Sequence, residues 1–335
     1  MTGIQWTQEV WNPTTGCDKV SPGCGLPRFD GDDTGGCYAM AMAKRLKAMG
    51  QAKYQKDGDP RTSGPGFGIS LHPDVLDRPL HWREPRKVFV NSMSDLFHKD
   101  VPDEFIACAF AVMAMAPQHT FQVLTKRHGR MRSLLSSDDF QVACFFAAVA
   151  RGWDLEGTPW PLPNVHLGVS AEDQRWADIR IPALLETPAA VRFVSAEPLI
   201  GQLDLGIGDP HKGHDSDDVY GHPHPRVCLD CSGPEGEDDV LYFRREPISP
   251  EVAGARIDWV IVGGESGPGA RPMSLRWART LVLECQSAGV PVFVKQLGAV
   301  AGRELGAGPK GGDWDCWPED LKIREFPRSA EAVAS

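Results

Sequence analysis

The stretch IDWVIVGGESGPGAR, residues 257–271, opens on an unbroken apolar run and ends in glycines and charge. A run such as DWVIVGG (258–264) suits a strand covered on both faces, as in a parallel sheet between helices. Similar runs occur at FGISL (67–71), KVFVNS (87–92), TFQVLT (120–125), VHLGVS (165–170), VRFVSA (191–196) and VPVFVKQ (290–296). A weaker candidate lies near IQWT (4–7). Helical patterns fall between them. PDEFIACAFAVMAMA (102–116) begins with proline and acids, and SLRWARTLVLECQSAGV (274–290) begins on a serine cap and stops near Gly289. The alternation predicts an α/β fold, a (β/α) barrel that is complete and TIM-like or partly open. A doubly wound open sheet is the competing architecture.

With 335 residues, 41% of them hydrophobic, the chain suits one large domain with insertions. The barrel is expected over 1–300. Residues 206–256, rich in Gly, Pro, His and acids, read as an irregular insertion, and 301–335 as a C-terminal tail that frays. The net charge of −10 excludes a wholesale basic footprint for nucleic acid but leaves room for a local groove. The first ten residues lack a signal-peptide pattern, and no stretch approaches the ~18 apolar residues of a membrane span. The expectation is a cytoplasmic protein. In a reducing compartment its nine cysteines are not expected to form a disulfide framework, and the clustered ones read as metal ligands.

In a barrel the site lies at the C-terminal ends of the strands. There the sequence places Asn91, Ser92, Ser94 and Asp95, then Thr125, Lys126 and Arg127, then Ser170 and Glu172, then Ser195 and Glu197, then Gly263, Gly264, Glu265 and Ser266, then Lys295 and Gln296. In GGESGPGAR (263–271) the glycines allow close backbone approach to a ligand, Glu265 can take an ammonium or a hydroxyl, and Arg271 can clamp an anion. The spacing is not that of a phosphate loop.

Cys17, Cys24 and Cys37 lie together near the front of the chain, with Gly16, Gly23, Gly25, Gly35 and Gly36 around them. Their spacing is not that of a zinc ribbon. Three thiolates can hold a [4Fe–4S] cluster and leave one iron open. A zinc site completed by a histidine or fourth cysteine is the other metal reading. Cys228 and Cys231 form a separate C-x2-C which, with His222 and His224, could bind structural zinc inside the insertion. Cys108, Cys144 and Cys285 read as buried small hydrophobes, and Cys316 as unliganded.

Several ordered motifs carry a resemblance. WNPTTGCDKVSPGC…CYA, VFVNSMSDLFHKDVP, FQVLTKR, VHLGVSAEDQ, AAVRFVSAEPLIG, IDWVIVGGESGPGARPM and VFVKQLG resemble the phage-associated three-cysteine-motif family of unknown function. That family is itself similar to radical S-adenosylmethionine (SAM) enzymes. The resemblance spans about residues 4–298, apart from the insertion, and implies a radical-SAM-like barrel. It also implies that Cys17, Cys24 and Cys37 hold a [4Fe–4S] cluster whose open iron takes SAM. Reductive cleavage of SAM would then give a 5′-deoxyadenosyl radical. Tyr38 would pack on the adenine. Asn91, Ser92, Asp95, Glu197, Glu265 and Arg271 would meet SAM or substrate, with Gly263, Gly264 and Ser266 in the same loop. Lys126 and Lys295 would offset a carboxylate or phosphate, and Glu197 and Lys126 are the candidates for catalytic roles. The family usually has C-x2-C for its last two cysteines; here twelve residues intervene. The difference reads as an inserted loop, GLPRFDGDDTGG, whose closure costs only about 1 kcal/mol more.

The implied partners are SAM, a nucleotide or nucleic-acid substrate in phage DNA modification or repair, an electron-donor protein and a partner protein encoded nearby. Two other function classes remain open. One is a zinc-dependent barrel hydrolase or lyase with Glu197 or Glu265 as base, although His72, His98 and His128 are isolated. The other is a non-catalytic, cluster-containing protein that binds a partner.

Overall fold

A computed structural model describes residues 4–27, 36–207, 255–267 and 269–327. Its main sheet has seven strands, all parallel: β1 (Glu9–Trp11), β4 (Lys87–Val90), β5 (Thr120–Thr125), β6 (Val165–Ser170), β7 (Val191–Ala196), β8 (Trp259–Gly263) and β9 (Val292–Gln296). They neighbour one another in chain order. A doubly wound sheet reverses its order at a switch point; this one does not, so the barrel-like reading holds. Two short strands, β2 (Thr14–Thr15) and β3 (Ser70–Leu71), form a separate antiparallel pair. Helices α1 (Tyr38–Ala48), α2 (Asp103–Ala114), α3 (His128–Leu135), α4 (Asp138–Val149), α5 (Gln174–Leu185), α6 (Leu275–Ala288) and α7 (Gly298–Glu304) complete the fold.

The sheet curls into a half-barrel. Trp6, just before β1, stacks edge-on against Phe89 of β4 at 4.7 Å and against Trp259 of β8 at 6.1 Å. In a flat sheet those strands would lie about 19 Å apart, four strand spacings. One indole can touch both only if the sheet bends around it. Phe193, Ile261 and Phe293 join this inner cluster. The alternate residues, such as Val88, Val123, Leu167, Val194, Val260 and Val294, pack with the helices into the larger core. Both faces are therefore apolar, which is why the strands read as continuous runs.

Three expectations change. The FGISL run contributes only Ser70–Leu71, outside the main sheet. The first strand is Glu9–Trp11 rather than IQWT. The tail expected to fray from 301 is folded as far as 327: Trp317 and Leu321 are buried, and the backbone N–H of Glu325 donates to Val292 O at 2.9 Å. The expected 206–256 insertion lies almost wholly outside the described residues, as do Cys228, Cys231, His222 and His224. Among the described residues no helix is long and apolar enough to cross a membrane.

Candidate metal centre at the sheet mouth

The cysteine loop leaves β2 at the C-terminal end of the sheet. Gly16 bridges to Ser94 and adopts a φ of +91°. A Cβ there would lie 2.4 Å from Gly68 O, so only glycine can start this loop. The Cys17 amide donates to Phe67 O at 3.2 Å. Cys24 closes a short 3₁₀ turn, and Cys37 takes the N-cap position of α1. Cys17 and Cys37 pack on one small cluster made by Ala39, Ala43, Phe67 and Met93. Cys24 is near enough to both that its charge would raise each of their pKa values. The structure thus brings together the three predicted thiols, despite the long spacing before Cys37.

Their three sulfurs do not all lie within 4.8 Å of one another. Sulfurs on one tetrahedral zinc sit about 3.8 Å apart. Among the described residues the one trio of potential ligands within 4.8 Å of one another is Asp18, His98 and Asp100, not the cysteines. That trio is accounted for by hydrogen bonds. The Asp100 amide donates to His98 Nδ1 at 3.2 Å, which leaves Nε2–H to donate to Asp18 Oδ2 at 3.0 Å. Burial lowers the pKa of His98, in keeping with a neutral ring. Both ring nitrogens are used, so the trio reads as a clamp on the residue after Cys17.

Burial pushes the Cys17 thiol up to about 12, with Asp95 adding to the rise and Arg127 opposing it. Burial raises Cys37 as well. Arg127 Nη2 lies 3.7 Å from Cys17 Sγ. At Lys126 burial opposes the charge, but Glu172, Cys24 and Cys37 outweigh it and raise the pKa. The two cations that follow β5 thus face the sulfurs.

Behind them lies Glu172, wholly buried. Its Oε1 accepts from Ser21 Oγ and is 3.9 Å from Lys126 Nζ; its Oε2 accepts from Arg180 Nη1 at 2.7 Å. A Cβ on Gly23 would sit 2.5 Å from this carboxylate. The loop carrying Cys24 therefore rests directly on Glu172. Arg180 also donates to Ser170 O at 2.7 Å and lies 4.1 Å over the Trp176 ring. The sequence reading placed Glu172 at a strand end but gave it no role, and it missed Arg180 altogether. The signal was available: Arg180 interrupts the apolar stripe Ala177, Ile181, Leu184 of α5, and a buried arginine requires an acid.

The other predicted residues fall around the same mouth, most of them with partners inside the chain. Glu265 accepts from Arg271 Nε and Nη2, both at 2.8 Å, and from the Gly36 amide at 3.0 Å, one residue before Cys37. The Gly264 amide donates to Gln296 O at 2.9 Å and Gly264 O accepts from the Gln296 side-chain amide Nε2 at 3.0 Å, and Ser266 follows on the same loop. Glu197 pairs with Lys295 at 2.5 Å beside Gly263. Asp95 accepts from Thr125 Oγ1 at 2.7 Å and the Lys126 amide at 3.0 Å, tying the β4 and β5 loops together. Tyr38 leaves its ring exposed while its hydroxyl donates to Ser92 O at 2.8 Å. Asn91 holds a φ of 61°, and its buried Nδ2 has no hydrogen-bond partner. Cys144 and Cys285 are buried as expected, Cys108 is half-buried, and Cys316 is exposed.

No curated protein and no solved structure matches the chain. Residues 1–319 match the family model described as protein of unknown function (DUF5131), and the chain belongs to that family.

Proposed function

We propose that this protein is a radical SAM-type iron–sulfur enzyme, with Cys17, Cys24 and Cys37 as the ligands of a [4Fe–4S] cluster. The reading is carried by three thiols gathered at the C-terminal mouth of a curled parallel sheet. The donor set suits such a cluster, since cysteine sulfur is its usual ligand. When bound, the cluster with SAM supplies one-electron cleavage to a carbon radical.

This chain's residues would hold and shield that chemistry. Glu172, through Ser21, fixes the loop of Cys24, and Glu265, through the Gly36 amide, fixes the approach to Cys37. Lys126 and Arg127 offset thiolate charge. Asn91, with a buried donor still free, and the exposed ring of Tyr38 are the groups best placed to meet a bound nucleoside. A nucleotide or nucleic-acid base in phage DNA modification or repair is the substrate class that the motif resemblance favours.

Anaerobic reconstitution with iron and sulfide, followed by incubation with SAM and dithionite, tests the reading. The expected results are about four irons per chain and formation of 5′-deoxyadenosine. Protein that takes up no iron, or a Cys24→Ala variant that takes up as much, would refute it.

A further inference from the structure

We infer that a single strand of nucleic acid docks along the outer face of α1. The docking is independent of the proposed chemistry; that the strand is the substrate rests on it. Helix α1 begins at Cys37, its N-cap, so its first turn stands at the mouth and the rest leads away from it. Ala39 and Ala43 bury its inner face. The outer face is exposed: Tyr38, Met42, Arg45 and Met49 fall at i, i+4, i+7 and i+11, with Lys44 on the flank. The helix holds three basic residues and no acidic one.

Charge indicates the occupant. The chain carries a net charge of −10, yet residues 36–68 hold six basic residues and two acidic ones. Both acids are taken, Asp57 by Lys47 at 2.5 Å and Asp59 by Arg61 at 3.0 Å. Lys44 and Arg45 are exposed and have no acidic partner among the described residues. Such cations suit phosphate, which arginine can grip bidentately. Tyr38 supplies the other half of strand recognition. Its hydroxyl is fixed to Ser92 O at 2.8 Å while its ring stays exposed, a rigid surface on which a base can stack. Cations along the backbone and an aromatic platform for the bases are how proteins hold single strands. Arg45 lies eight residues beyond Cys37, about 12 Å along the axis. A ligand that meets both must be extended, as is a strand with a phosphate every ~3.4 Å or more, whereas a free nucleotide is compact. A base must also leave its duplex to be acted on, so the strand is single.

Fluorescence anisotropy tests the inference, with labelled single strands of DNA and RNA about 12 nucleotides long titrated with full-length protein between about 50 and 200 mM salt. The expected result is binding of at least one strand that weakens steeply as salt rises. Lys44→Gln combined with Arg45→Gln should weaken it about tenfold and lower the slope of log K against log salt by about 1.4, ~0.7 for each phosphate contact. Tyr38→Ala should also weaken it about tenfold but keep the slope, because stacking is not ionic. The three side chains are exposed, so circular dichroism should not change. Failure of both strands to bind at the lowest salt overturns the inference. So does binding that these variants leave unchanged, or that adenosine 5′-monophosphate displaces at an equal concentration of nucleotide. The assay needs no cluster and is run on metal-free and reconstituted protein. A wild type that forms 5′-deoxyadenosine but binds neither strand overturns the docking alone. Strand binding on α1 by protein that takes up no iron upholds the docking and overturns the proposed chemistry alone.

Discussion

Replacing Glu172 by glutamine should strongly destabilise the fold at neutral pH. Glu172 and Arg180 are both wholly buried, with a 2.7 Å contact, so solvent does not screen them. Glutamine keeps the shape but leaves Arg180 without its anion. Arginine cannot shed its proton, whereas Lys126, 19% exposed, can relieve itself by neutralising. Breaking one partner of a buried pair costs about 3–5 kcal/mol. Lys126's escape and the remaining Ser170 and Trp176 contacts of Arg180 put the expectation near the lower end, about 3 kcal/mol. Against a typical total of about 5–15 kcal/mol, that is a large fraction. With a urea m-value near ~3 kcal/mol/M, the midpoint should fall by about 1 M. The pH dependence has a fixed sign. Burial would raise the Glu172 pKa, but Lys126, Arg180 and Ser21 outweigh it and hold it below the ordinary glutamate value of 4.5. Its stabilisation is therefore present above pH 4.5 and lost as pH falls through the lower folded value. The deficit of the variant should accordingly shrink in acid. Urea titrations of metal-free protein at pH 7 and near pH 4, with Glu172→Gln, Arg180→Met and the double variant, measure all of this. The double variant should cost less than the sum of the singles. A deficit under about 1 kcal/mol at pH 7, or one unchanged in acid, would refute the buried pair.

Gly23→Ala drives a methyl into the pinned carboxylate of Glu172, so it should cost about 1–3 kcal/mol and reduce iron uptake, read by melting and metal analysis. Trp6→Ala removes the indole around which the sheet bends and should cost about 3–5 kcal/mol by denaturant titration; a near-neutral result would argue against the curl. Burial, with Asp204 beside it, raises the Glu284 pKa to about 7. That group therefore stabilises the fold fully below its unfolded value near 4.5, and the contribution is lost as pH rises to 7, about 3 kcal/mol in all. Glu284→Gln should remove this slope, and a wild type whose stability is flat between pH 4.5 and 7 would contradict it.

The strands were legible because helices cover one face of the curled sheet and the aromatic cluster around Trp6 fills the other, which leaves little polar alternation to hide them. FGISL misled for a physical reason. It is apolar because Phe67 covers the cysteine loop, not because it joins the sheet. The tail misled through its charge, while its buried Trp317 and Leu321, four residues apart, carried the packing signal. The three cysteines were legible as a group. Their supports were not, since Glu197 and Lys295 are 98 residues apart and meet only through strand order and register. Arg180 lay between these cases, visible as a charge in an apolar stripe but without a nameable partner until α5 was set against β6.

The charges at the mouth also bear on what the cysteines can do. Glu197 faces Lys295, Glu265 faces Arg271, and Glu172 faces Arg180 and Lys126. A general base needs a carboxylate free to take a proton, and here each of the three already accepts a hydrogen bond from a cation. A nucleophilic cysteine needs a lowered pKa. Cys17 and Cys37 are instead raised by burial, even with Arg127 and Lys126 nearby. Thiols in this position keep their protons until something strongly positive takes their charge, and metal binding does that while releasing the protons. With Lys126 and Arg127 in place, both of these thiols still stay raised. The same electrostatics that argue against an exposed nucleophile therefore argue for a ligand set.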